Sequence, residues 1–242
     1  MTKYYVTIIA ISQLLNVSLA IGSDAAVDAV SVSARIVELS GPDARVEVKL
    51  TNVSNKTVTA WAYSVEGRYP DGSSRSTFAM VDEVSSLLGA SLPVPKGDRE
   101  PAEFRSGILR TRLSRLPLSK RGEFPTSVTA VVEMVALDDG TAQGDIVRIR
   151  QLSGARRSMA ASISSVLADI QRARESTDPK ASLRATIEKL SKDTTGPRQG
   201  GLMLQQLMPL LDQEPVSLDR ALAAYKAYRD LLNQHSDLKE AN

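Results

Sequence analysis

The stretch Ser127–Asp145, "SVTAVVEMVALDDGTAQGD", is where the chain changes its rhythm. Up to Leu137 the apolar residues have a period of two. Val128, Ala130, Val132, Met134 and Ala136 fall on one side and Val131, Val135 and Leu137 on the other, which predicts a central strand covered on both faces. After Asp145 the period becomes helical: Ile146, Ile149, Leu152, Met159, Ile163, Val166, Ile170 and Ala173 predict a long amphipathic helix. The segment between, Leu137–Asp145, admits two readings. As a turn, Asp139-Gly140 supplies residues that tolerate positive φ, and Asp145 supplies an N-cap for the first amides of the helix. As a calcium loop it would need oxygen ligands at alternating positions and a late bidentate glutamate. Asp138, Asp139 and Asp145 lack that spacing and no glutamate follows in register, so a turn and a cap are expected, with no metal.

Toward the N-terminus the period of two continues. Val30, Val32, Ala34 and Ile36 share one face, and Ala44, Val46, Val48 and Leu50 another, with Ser40-Gly41-Pro42-Asp43 as the turn of a hairpin. In "TVTAWAYSVEG" Val58, Ala60 and Ala62 alternate against Trp61, Tyr63 and Val65, so both faces are expected to be covered and Trp61 to lie in the core. Pro70 and Asp71-Gly72 mark the next reversal. Val81–Leu88 reads as a short helix, Pro93, Pro95, Gly97 and Pro101 as a long loop, and Leu109–Leu113 as a further strand. Several short strands with turns between them predict an antiparallel sandwich. Toward the C-terminus, Asp178 and Pro179 stop the long helix and start another over Lys180–Lys192. A short helix is expected over Leu202–Leu211 and a last one over Leu218–Leu238. The fold class is therefore α+β: a β-sandwich over residues 28–144 and a helical region over 145–242.

The pair "LTNVSNKTVTAWAY" and "ALDDGTAQGD" resembles the strand motifs of exported bacterial proteins that carry an immunoglobulin-like β-sandwich and a helical C-terminal region. The resemblance covers the first half of the mature chain. It implies the fold and an exported location, and it brings no catalytic residue with it.

The start of the chain agrees with export. Lys3 precedes an apolar stretch that ends in Ser18-Leu19-Ala20, small residues at both positions a signal peptidase reads, so residues 1–20 are expected to be a signal peptide cleaved after Ala20. Ser12, Gln13, Asn16 and Ser18 leave the stretch short of the ~20 clean apolar residues of a membrane span, which makes a retained anchor the weaker alternative. With no cysteine among 242 residues there is no lipid attachment site and no disulfide, which fits a bacterial periplasmic or secreted protein. The sequons at Asn52 and Asn55 are then turn residues.

Catalytic constellations are scarce. The one histidine, His235, lies among polar residues and reads as a solvated helix end. Without cysteine or a second histidine, the usual zinc ligands and a Cys/His pair are not available. No G-x-S-x-G, Walker or G-x-G-x-x-G motif is present, and Ser236-x-x-Lys239 lacks its companion motifs. No cofactor is expected. Aromatic residues make up 4% of the chain, too few for stacking bases, and the net charge of +2 gives no general affinity for nucleic acid.

One charge feature stands out. Between Arg105 and Arg121, "RSGILRTRLSRLPLSKR" holds Arg105, Arg110, Arg112, Arg115, Lys120 and Arg121 without an acid. Such a run is suited to an anionic envelope component or an acidic protein surface, and Arg110 and Arg112 would share a strand face. The plainer reading is a solvated face balanced by acids elsewhere. The sequence thus favours a non-catalytic binding module of the bacterial envelope, with no stable membrane insertion after signal cleavage. Two alternatives stay open: a hydrolase with a carboxylate pair on sandwich loops, and a self-assembling structural component of the envelope.

Overall fold

The computed structural model describes residues 27–40, 43–85, 87, 107–192 and 215–241. The segment 1–20 expected to be a signal peptide, the prolines of the expected long loop, Arg105 and the helix expected over 202–211 lie outside them. The chain forms two compact units. Of the described residues, those up to 87, 107–152 and 238–241 belong to the first, and 153–192 and 215–237 to the second.

The first unit is built on eight strands: β1 (Val30–Ser40), β2 (Asp43–Asn52), β3 (Val58–Arg68), β4 (Ser74–Asp82), β5 (Gly107–Pro117), β6 (Ser127–Leu137), β7 (Thr141–Gly144) and β8 (Lys239–Glu240). They form a three-stranded sheet, β1-β2-β5, and a five-stranded sheet, β4-β3-β6-β7-β8, in a sandwich-like arrangement. All pairs are antiparallel except β7 with β8, so the second sheet is mixed, where the sequence predicted a wholly antiparallel one. One apolar cluster joins the two sheets: Ala44, Val46, Val48 and Leu50 of β2 meet Trp61, Tyr63 and Val65 of β3 and Val135 and Leu137 of β6. Trp61 is fully buried, as its place in the alternation predicts.

In the pairing of β3 with β6, two bulges rearrange the alternation. On β6, Met134 pairs with Ala62 and Val132 with Tyr63, so Glu133 is an extra residue. An extra residue reverses which face the following side chains take. Val128, Ala130 and Val132 therefore share the inter-sheet core with Val135 and Leu137, while Met134 and Ala136 go to the opposite face. That corrects the uninterrupted two-sided pattern read from the sequence. On β3, Thr59 is the corresponding extra residue and brings Val58 to the side of Trp61.

The outer face so created is also covered. Ala60, Ala62, Met134, Ala136 and Ala142 pack with Ile149 and Leu152 from the first turns of α1 (Ile146–Arg174). The turn between Leu137 and Asp145 is structural throughout. Gly140 has φ 81°, and the Thr141 amide and hydroxyl donate to Asp139 Oδ1 at 3.0 and 2.6 Å. The Asp145 carboxylate accepts the Val147 amide at 2.7 Å as an N-cap. Among the described residues no group of three or more possible metal-ligating acids, histidines or cysteines occurs. Asn52 is likewise spent on its turn, accepting from the Ser54 amide and hydroxyl and donating to the Lys56 carbonyl at 2.8 Å.

The short helix expected from Val81 is displaced. Val81 pairs with Trp61 and Asp82 with Ala60, because β3 has an apolar partner face to offer, and only beyond Asp82 does the chain turn. The Asp82 carboxylate then accepts the Val84 amide at 3.1 Å.

The second unit holds the rest of α1 with α2 (Pro179–Lys192) and α3 (Pro215–Gln234). Ile163, Val166, Ile170 and Ala173 of α1, Leu183 of α2, and Tyr225 and Leu232 of α3 are buried, as helical spacing predicts, and Ala224 of α3 joins them while Leu222 and Leu231 are half-buried. Asp178 caps α2 by accepting the Ala181 amide at 3.0 Å. His235 is a correction: it is buried, only 5% exposed, because the fully buried Arg156 guanidinium donates to its carbonyl at 2.8 Å and holds the end of α3 inward. A cation that satisfies a terminal helix carbonyl is also favoured by the helix dipole. The last helix ends at Gln234, short of Leu238, and the chain returns to the first unit as β8. Among the described residues no helix is long and apolar enough to cross a membrane.

Candidate functional site

Register brings the paired ends of β1, β2 and β5, the β3–β4 hairpin and the start of β6 to one end of the sandwich. Ser40 pairs with Asp43, Asp43 with Pro117, and Arg68 with both Ser74 and Ser127. The β3–β4 turn closes with the Gly72 amide on the Tyr69 carbonyl at 3.0 Å, and Gly72 has φ 78°. The β5–β6 connection closes in the same way, the Gly122 amide on the Ser119 carbonyl at 3.0 Å with φ 79°. Buried Ser119 organises this turn, its hydroxyl accepting the Arg121 and Glu123 amides at 3.1 Å each.

The two turns are tied together. The Tyr69 hydroxyl donates to the Pro117 carbonyl at 2.5 Å, and the Thr126 amide donates to the Arg68 carbonyl at 2.8 Å. Gly67 allows the close approach: a Cβ there would stand 2.9 Å from Leu116 Cδ1 and 3.1 Å from Pro125 Cβ. Burial pushes the Tyr69 phenol pKa up, so it remains a neutral donor.

Five cations collect at this end: Arg68 and Arg75 at the β3–β4 hairpin, Arg115 near the end of β5, and Lys120 and Arg121 in the following turn. All but the half-buried Arg75 are exposed, and among the described residues none of the five has an ion-pair partner. Asp71 lies among them with a lowered pKa, caused first by the Ser73 hydroxyl and amide and then by the charges of Arg121 and Arg75. Glu123 is held by Ser119 at 3.4 Å. The cations therefore present a positive field that these acids only partly offset.

The basic run of the sequence is divided by the fold. Arg105 lies outside the described residues. Arg110 and Arg112 lie further back on β5, where they pair in register with Leu50 and Val48. Arg115 pairs with Arg45. Among the described residues of the run, Arg115, Lys120 and Arg121 lie at the loop end. Arg68 and Arg75 join them from some forty residues earlier in the chain, through the pairing of β3 with β6. Elsewhere on the three-stranded sheet, cations are matched across strands, Arg35 with Glu47 at 2.9 Å and Arg45 with Glu38 at 2.8 Å.

Among the described residues the carboxylates whose pKa values move are Glu47, Asp71 and Asp139, and each is lowered, chiefly by hydrogen bonds to its charged form. No family model matches the chain, and neither does any curated protein or solved structure.

Proposed function

We propose that this protein is an exported, non-catalytic binding module of the bacterial envelope, whose sandwich is immunoglobulin-like and docks an anionic envelope component through its basic loop end. The strand order supports the fold assignment. β1-β2-β5 and β4-β3-β6-β7 match the A-B-E and C′-C-F-G sheets of immunoglobulin-like sandwiches, and Trp61 on β3 takes the place of the buried tryptophan on strand C. Loops clustered at one end of such a sandwich are where this architecture carries binding, because a rigid scaffold fixes them at little entropic cost.

The observation that carries the functional reading is the set of five cations, Arg68, Arg75, Arg115, Lys120 and Arg121, without ion-pair partners on two mutually bonded turns. An anionic surface would be attracted over a range set by salt, about 8 Å at 0.15 M. Export rests on the expected signal segment.

The test is co-sedimentation of the mature chain with an envelope fraction across a salt series. Changing all five residues to Gln is expected to abolish sedimentation at low salt while leaving the melting temperature nearly unchanged, since exposed charges contribute no more than about 1 kcal/mol each. Full retention of binding by the quintuple variant would overturn the reading.

A further inference from the structure

After the helical unit the chain rejoins the sheet at β8, and the attachment is slight. Thr141 pairs with Lys239 and Ala142 with Glu240. The Lys239 amide donates to the Gly140 carbonyl at 3.0 Å and the Ala241 amide to the Ala142 carbonyl at 2.8 Å. Lys239 and Glu240 are exposed, and the one apolar anchor is half-buried Leu238, packed on the cluster that includes Met134, Ala136, Ala142 and Ile149. β7 itself is held far better. It pairs with Met134, Val135 and Ala136, and its end is fixed by the Asp145 amide on the Glu133 carbonyl at 2.7 Å. Gln143 Oε1 also accepts the Asp28 and Ala29 amides at 3.1 and 3.0 Å.

We propose that the outer edge of β7 is a strand-exchange site that takes the Leu238–Ala241 segment of a second copy of this chain in place of its own. Segments held by few bonds and little buried area open locally without global unfolding. An opened β7 leaves the Gly140 and Ala142 carbonyls without their donors, and an edge in that state is refilled by a strand of matching pattern. The sequence known to match is the chain's own, with Leu238 for the apolar cluster and the exposed Lys239 and Glu240 for solvent. Exchange of an identical element between two copies gives a closed dimer. β7 begins next to the Asp139-Gly140 turn, at the opposite end of β3 and β6 from the basic turns, so each copy would keep its cationic end free.

The chain has no cysteine, so introduced thiols report without background. Thr141→Cys and Lys239→Cys are made singly and together, and Trp61 emission confirms the fold. Oxidising an equimolar mixture of the single variants is expected to give a covalent dimer with one copy of each, and neither variant alone should give it. The double variant is expected to close within one chain when dilute and to cross-link two chains when concentrated. The proposal is overturned if the double variant closes only within one chain while the mixture gives no mixed dimer. It is equally overturned if the double variant never closes, or if either single variant dimerises as fully as the mixture. Loss of exchange would leave envelope binding unaffected, so the two readings fail separately.

Discussion

Asp139 combines contacts that are local in sequence with one that is not. Its carboxylate accepts from the Thr141 hydroxyl and amide and pairs with Lys56 Nζ at 2.6 Å. Burial alone would raise its pKa, but the bonds from Lys56 and Thr141 outweigh burial and hold it at about 2. A carboxylate with a depressed pKa contributes stability that is present above its unfolded value, near 4, and is lost as pH falls from there through 2. The side chain is 39% exposed, so solvent screening limits the contribution to about 1 kcal/mol or less. Asp139→Asn is therefore expected to lower stability slightly at pH 7 and to flatten the loss between pH 4 and 2, measured by urea unfolding across that range. An unchanged acid limb would contradict this. The N-cap role of Asp145 could be read from sequence because its partner, the Val147 amide, lies two residues away, whereas the pairing of Asp139 with the distant Lys56 could not. Nor could the burial of His235, because it depends on Arg156, 79 residues away.

At the scale of elements, alternation located the strands but did not give the faces beyond each bulge. Glu133 is the extra residue of β6 in its pairing with β3, and its carbonyl lies against Gly144 of the adjacent β7. Gly144 has φ 102°, and a Cβ there would meet the Glu133 carbonyl oxygen at 2.2 Å. Gly140 has φ 81° with nothing within 4 Å of its missing Cβ. Gly140→Ala should thus incur only backbone strain, about 1 kcal/mol or slightly more. Gly144→Ala adds a backbone collision and should destabilise by clearly more, on the order of 3 kcal/mol or above. Thermal unfolding of the two variants checks the order, and equal losses would show that the bulge does not press on Gly144. A periodic pattern contains no sign of such an extra residue, since Glu133 by composition is an ordinary strand residue.

For the whole molecule, the basic run was visible in sequence and the site was not. The register of β5 places Arg110 and Arg112 away from the strand end that carries Arg115, and the register of β3 against β6 adds Arg68 and Arg75. Neither follows from a linear reading, because both depend on which strands become neighbours. The central claim is that the two turns act as one cationic surface, and it is tested most directly by charge reversal on each turn separately. Arg68→Glu with Arg75→Glu, and Lys120→Glu with Arg121→Glu, are compared for envelope co-sedimentation at one low salt concentration. The account predicts that both double variants lose binding to a similar degree while remaining folded. Full binding by the Arg68 and Arg75 variant, with loss confined to Lys120 and Arg121, would contradict it.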